Sequence, residues 1–154
     1  QITIRTPATP QYGGIVTALV QLSLSTSYYK AALVTQWKGQ PFPEGLVIEK
    51  PQDALAASGS HYAGAYSLAA FNKYREKHAV PMTVVGLPCQ ALAIRKMECL
   101  DHPRNPHMGS DNLVIGLFCT WALSPRALSH ELLERFGAEK PWRFDIPPPP
   151  ANRF

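Results

Sequence analysis

The chain has no CxxC pair, no run of four or more basic residues, and no apolar stretch near the roughly 18 residues that cross a bilayer. Each absence excludes a class of protein. Without CxxC there is no thioredoxin-type disulfide exchange. Without a basic run, and with none of the helix-turn-helix, zinc-finger or RNA-binding signatures, the formal net charge of +4 describes a solvated surface, not a nucleic-acid module. Lys38, Lys73, Arg75, Lys77, Arg95, Lys96, Arg126, Arg135 and Arg143 are scattered among acidic residues, which still leaves room for a small basic pocket holding an anionic cofactor. The longest apolar runs are short ("NLVIGLFC", "MTVVG"), and no charged segment followed by an apolar one opens the chain, so the expectation is a soluble protein with no membrane span. Three cysteines, Cys89, Cys99 and Cys119, are an odd number at irregular spacing. That argues against a secreted disulfide framework and for reduced thiols in the cytoplasm.

What is present is enough for a core: 154 residues, 45% of them apolar. Strand-like runs alternate with amphipathic helix-like segments, which predicts an α/β fold with a mixed or mostly parallel sheet flanked by helices. "GGIVTALVQLSLS" reads as a helix opening on two glycines, and "AALVT" and "GLVIE" as strands joined by a Gly/Pro loop. "PQDALAAS" is a helix with proline at its first position, and "AYSLAAFNKYREKHA" is the clearest helix of all. Strand "MTVVG", helix "CQALAIRKME", strand "NLVIGLFC" and helix "SPRALSHELLERFG" follow, the last with Ser124 as its N-cap. Four prolines in "RFDIPPPPANRF" enforce an extended tail. The predicted organisation is a Pro-containing segment over 1–10, one α/β domain over 11–146 and a Pro-rich tail over 147–154.

The chemistry concentrates at strand ends. "VVGLPCQALAIRK" places Cys89 at the carboxyl end of a strand and the amino end of a helix, the edge where open α/β sheets bind ligands. A thiol there faces the positive end of the helix dipole, a setting suited to metal ligation or nucleophilic attack. "VIGLFC" delivers Cys119 to the end of another apolar strand about 30 residues on, as two successive β–α units would. The competing reading is that each cysteine is a small buried hydrophobe. A papain-like Cys/His site has no recognisable context around His61, His78, His102, His107 or His130. Cys99, His102 and His107 in "CLDHPRNPH" have zinc-ligand spacing but no fourth ligand.

Taken together, "QYGGIVTALV", "AASGSHY", "VVGLPCQALAIRK", "IGLFCTWALSPRAL" and "FDIPPPP" resemble, in order and spacing, the coenzyme F420 hydrogenase/dehydrogenase beta-subunit family, from about Gln11 to Pro150. The resemblance implies a flavoprotein module that binds FAD beside a 4Fe-4S cluster and passes electrons between the cluster and a hydride acceptor such as coenzyme F420. It also implies partner subunits of hydrogenase, dehydrogenase or reductase type. The family's G-x-P-C and L-F-C cysteines look like cluster ligands and fall on Cys89 and Cys119. Members typically carry a further CxxC beyond the segment matching "FDIPPPP", whereas this sequence stops at Phe154. The expectation is a truncated module with two of the usual four cluster thiolates in hand; the alternatives are that a partner supplies the missing ligands or that the cluster is absent from this polypeptide.

For the flavin, the resemblance points to Gly13, Gly14 and Thr17, where unpaired helix N–H groups and a hydroxyl can take a phosphate. It also points to Gly59, Ser60 and His61, where the family often has lysine in place of His61, and to Gln90, which either bonds a flavin ring edge or caps its helix. Trp121 reads as a stacking or a packing residue. Two rivals stand beside this reading: a non-catalytic subunit or scaffold domain of the same fold, and a small zinc-binding domain built on Cys99, His102 and His107.

Overall fold

A computed structural model of the chain describes residues 14–37, 42–99, 111–119 and 122–136. The elements run α1 (Ile15–Ser25), β1 (Ala31–Gln36), β2 (Glu44–Ile48), a 3-10 helix (Pro51–Ala57), α2 (Ser67–Arg75), β3 (Met82–Gly86), α3 (Pro88–Cys99), β4 (Leu113–Gly116) and α4 (Pro125–Phe136). The strands form one mixed sheet in the order β2-β1-β3-β4. β1 pairs antiparallel with β2 and parallel with β3, and β3 pairs parallel with β4.

The period-2 alternation of strand side chains divides the core into two layers. Ala31 and Leu33 of β1 and Met82 and Val84 of β3 pack with Phe71 of α2 and Ile94 of α3 on one face. Ala32, Val34 and Val85 pack on the other with Val20 and Leu24 of α1, Ile48 of β2 and Ala54 of the 3-10 helix. Strands covered on both sides read as continuous apolar runs, which is why "AALV" and "MTVV" carry almost no polar residues. α1 presents Val16, Val20 and Leu24, spaced by four, to this core, while Ile15 and Leu19 are exposed. Where α2 crosses β2, only glycine fits. A Cβ on Gly45 would lie 2.6 Å from the Ser67 carbonyl oxygen and 2.7 Å from Ser67 Cα. The hydroxyls of Thr35 and Ser67, 2.9 Å apart, seal the same approach.

Three details differ from the sequence reading. The segment 51–57 is a 3-10 turn and not an α-helix: it is short, opens on Pro51 and closes with Ser58 N–H donating to Leu55 O. α3 starts at Pro88, so Cys89 is its second residue. β4 ends at Gly116; Leu117 still donates to Gly86 O, at 2.9 Å, and Phe118 and Cys119 then leave the sheet exposed. Gly13, His102, His107, Trp121, the opening segment and the Pro-rich tail lie outside the described residues. No helix among the described residues is long and apolar enough to cross a membrane.

Candidate cofactor site

The topology makes a crevice. From β1 the chain turns to β2 on one side; from the adjacent β3 it passes through α3 to β4 on the other. Adjacent parallel strands whose connections leave in opposite directions part at their carboxyl ends, where α/β sheets take ligands. The pairing between β1 and β3 stops at Leu33↔Val84, so Val34–Gln36 and Val85–Gly86 run on without facing each other in the ladder.

The segment from residue 60 to 66 crosses this opening and is tied at three points. His61 Nε2 donates to the Thr35 carbonyl of β1 at 3.2 Å. At α3, the Gln90 carboxamide accepts from Leu87 N–H at 2.9 Å and donates to the Ala65 carbonyl at 3.3 Å. Beyond β4, Leu123 N–H donates to Tyr62 O and Gly64 N–H to Leu123 O, forming a parallel bridge at Ala63. Both ends of the Gln90 amide are thus used on backbone: the residue ties α3 to the crossing segment. Gly59, which opens the crossing, has φ 120°, a conformation that favours glycine. Ser60 beside it is half-buried.

His61 is tuned by this placement. Burial pushes its pKa below the ordinary 6.5, opposed by the bond to the Thr35 carbonyl. A carbonyl only accepts, so Nε2 carries the proton and the neutral ring keeps a bare acceptor at Nδ1. That Nδ1 is buried and has no hydrogen-bond partner among the described residues, and the same holds for Gln36 Oε1, one residue past Thr35. An unsatisfied buried acceptor costs about 1–3 kcal/mol, so two at one strand end are a notable expense in a folded chain.

The two thiols occupy matching positions. Cys89 and Cys119 each lie three residues beyond the paired glycines Gly86↔Gly116 of neighbouring parallel strands, and both are exposed. Phe118 beside Cys119 is fully exposed. Cys99 lies elsewhere, at the far end of α3, next to Glu98, whose carboxylate accepts from Asn112 at the amino end of the sheet. Among the described residues, no three or more His, Cys, Asp or Glu side chains gather where they could hold a metal ion.

α1 runs back along the sheet. Its last turn meets the amino end of β3, where Thr83 donates to Ser23 Oγ at 2.8 Å, and Val16 packs on the cluster containing Val85. Its first turn, with Gly14 and the half-buried Thr17, therefore lies toward the carboxyl edge. Gly14 is the N-cap in a left-handed conformation, φ 69° and ψ 8°, and it makes no side-chain cap bond. The structure thus gathers Gly14, Thr17, His61, Cys89, Gln90 and Cys119 at one edge of the sheet and leaves Cys99 at the other.

Sequence reasoning missed Gln36. Its one signal is a polar residue closing an otherwise apolar strand, "AALVTQ". Gln36 also lines an open groove of about 430 Å³ along β2, with Leu46, Ile48, Asp53 and Ala56 among its walls.

Two family models divide the chain between them. Residues 5–72 match the model for the N-terminal part of the coenzyme F420 hydrogenase/dehydrogenase beta subunit, and residues 81–145 match the model for its C-terminal part. The two matched segments supply β1–β2 and β3–β4, so they meet at the β1–β3 seam that forms the crevice. The chain is 31% identical over 152 residues to the coenzyme F420-dependent sulfite reductase of Methanocaldococcus jannaschii, covering 88% of this chain and 24% of that protein. It is 26% identical over 132 residues to the beta subunit of the coenzyme F420 hydrogenase of Methanothermobacter thermautotrophicus, covering 82% of this chain and 46% of the relative. The fold is shared with a chain of the F420-reducing NiFe hydrogenase complex from Methanosarcina barkeri, with a TM-score of 0.72 and 24% identity, over 81% of this chain and 44% of that one. The chain thus spans less than half the length of each of these relatives, and it belongs to the coenzyme F420 hydrogenase/dehydrogenase beta-subunit family.

Proposed function

We propose that this chain is the flavin- and cluster-bearing electron-transfer module of an oxidoreductase subunit, serving a hydride acceptor such as coenzyme F420 and working with partner subunits of hydrogenase, dehydrogenase or reductase type. The observation that carries the reading is the crevice between β1 and β3. It brings to one sheet edge the buried His61 Nδ1, unpartnered among the described residues, a helix start with no N-cap side chain and two exposed strand-end thiols, in a chain of this family.

The described residues fit FAD. Gly14 opens α1 without a Cβ or a capping side chain, so the first-turn N–H groups and the Thr17 hydroxyl suit an anionic phosphate. His61 Nδ1 offers an acceptor for an N–H or O–H group of the nucleotide. Gln90 positions the crossing segment through backbone bonds and leaves His61 aligned. FAD, once bound, exchanges a hydride on one side and single electrons on the other; the chain contributes orientation and shielding.

For the cluster the fit is partial. Cys89 in the first turn of α3 and Cys119 just beyond β4 are two thiol donors, and a 4Fe-4S site takes four. The reading assigns these two as ligands and draws the remaining two from polypeptide beyond the described residues.

The test is anaerobic reconstitution with iron, sulfide and FAD, read by visible spectra and iron counts on this chain and on a form extended past Phe154. Iron at about four per polypeptide in the extended form, lost on Cys89→Ser or Cys119→Ser, together with bound FAD, supports the module. A colourless protein that takes up neither supports a scaffold domain of the same fold.

A further inference from the structure

At the carboxyl end of β1, buried acceptors meet no hydrogen-bond donor among the described residues. Thr35 is at the centre: its carbonyl receives the His61 Nε2 proton, and Gln36, the next residue, carries the second orphaned acceptor. Because a carbonyl can only accept, this bond fixes the tautomer and turns Nδ1 into a lone pair directed away from Thr35. The crossing segment cannot easily swing the ring away, since it is tied on the far side of His61 through Tyr62, Gly64 and Ala65. A neutral ring with its only free polar atom an acceptor repels phosphate oxygens and matches an N–H or O–H group.

We infer that His61, held by the Thr35 carbonyl, is a contact residue that accepts a hydrogen bond at Nδ1 from an N–H or O–H of the bound flavin nucleotide and makes no contact with its phosphates. The inference rests on the flavin reading above and deepens it. The nucleotide then lies with a donor-bearing part at the end of β1 and its phosphates toward the start of α1.

The test separates Nδ1 from Nε2 by side-chain mimicry. Glutamine reproduces the Nε2 donor to Thr35 but has no acceptor where Nδ1 stood; asparagine reproduces an acceptor near Nδ1. FAD dissociation constants would be measured by quenching of flavin fluorescence at pH 7.5 for the wild type, His61→Gln, His61→Asn and His61→Lys, with thermal melts to confirm folding. His61→Gln is expected to weaken FAD about tenfold, the worth of one hydrogen bond, His61→Asn distinctly less, and His61→Lys at least as much as glutamine. Nitrogen-15 NMR of the histidine ring gives a second readout. Nε2 should be the protonated nitrogen before and after FAD, and the Nδ1 resonance should move on binding. FAD binding that is unchanged in His61→Gln, improved by His61→Lys, or silent at Nδ1 overturns the inference and leaves the flavin reading standing. No FAD binding by the wild type overturns both.

Discussion

The two edges of the sheet are built to opposite rules. At the amino edge, polar groups are mostly paired within the chain. Asn112, 5% exposed, accepts from Met82 N–H at 3.1 Å and donates to Glu98 at 2.7 Å; Glu98 also pairs with Arg95 at 2.6 Å; Thr83 donates to Ser23. Arg75 is the exception: fully buried, it donates to the Val80 carbonyl through Nη1, and its Nε and Nη2 have no hydrogen-bond partner among the described residues. Burial lowers its pKa, and Glu98 opposes that. At the carboxyl edge the pattern reverses. Buried acceptors lack partners among the described residues and Phe118 stands in solvent, while exposed thiols occur at both edges, Cys99 at the amino one and Cys89 and Cys119 here. One edge secures the fold, and the other keeps its binding capacity for something outside the chain.

The largest expected effect that would break this comparison is on iron. Cys89→Ser or Cys119→Ser should abolish iron retention in the reconstituted, extended protein while moving its unfolding free energy by less than about 0.5 kcal/mol, since both thiols are exposed. A large loss of stability with iron retained would make these thiols structural.

Next is the opposite edge. Asn112→Ala removes the partner of a buried N–H and of a carboxylate, and should cost about 3 kcal/mol in denaturant unfolding with FAD affinity unchanged in the folded protein. A selective loss of FAD binding there would erase the division of labour.

Gln36→Leu sharpens the contrast from the other side. Replacing an amide whose oxygen is buried and unpartnered among the described residues should raise the stability of the cofactor-free chain by about 1 kcal/mol. Destabilisation would mean that the amide is serving the fold.

The smallest effect is in pH. Because burial lowers the His61 pKa in the folded chain, the unfolded state takes up its proton first as pH falls below 6.5. This contribution to stability is complete above that value and is lost progressively below it, down to the folded pKa. Denaturant melts between pH 7.5 and 5 should show the loss, and His61→Gln should remove that component. A His61-dependent gain on acidification would contradict the buried, neutral ring.

How much of this was legible in the sequence follows from what each part depends on. The strands were readable because both faces are buried and "AALV" and "MTVV" are uninterrupted apolar runs. Cys89 and Cys119 were placed at strand ends because a following proline or helix start marks where a strand stops. The 3-10 turn at 51–57 was not distinguishable from an α-helix, since seven residues after a proline suit both. Gln90 remained ambiguous in sequence because its role depends on Ala65, 25 residues away, brought near by the crossing segment. Gln36 gave only the signal of a polar residue at a strand end, since a missing partner is a property of the packed structure and not of residue type. The His61 tautomer was out of reach for the same reason: the Thr35 carbonyl that sets it comes from another element.

The most direct test of the two-edge account is hydrogen–deuterium exchange of the protein with and without saturating FAD. The account predicts new protection confined to the carboxyl edge: the start of α1 around residues 14–18, the crossing segment 59–66, and the β3–α3 turn around 86–91. The amino-edge segments 80–83 and 111–113 should exchange at the same rate in both states. Protection centred on the amino edge, or none at 59–66 with FAD bound, would contradict it.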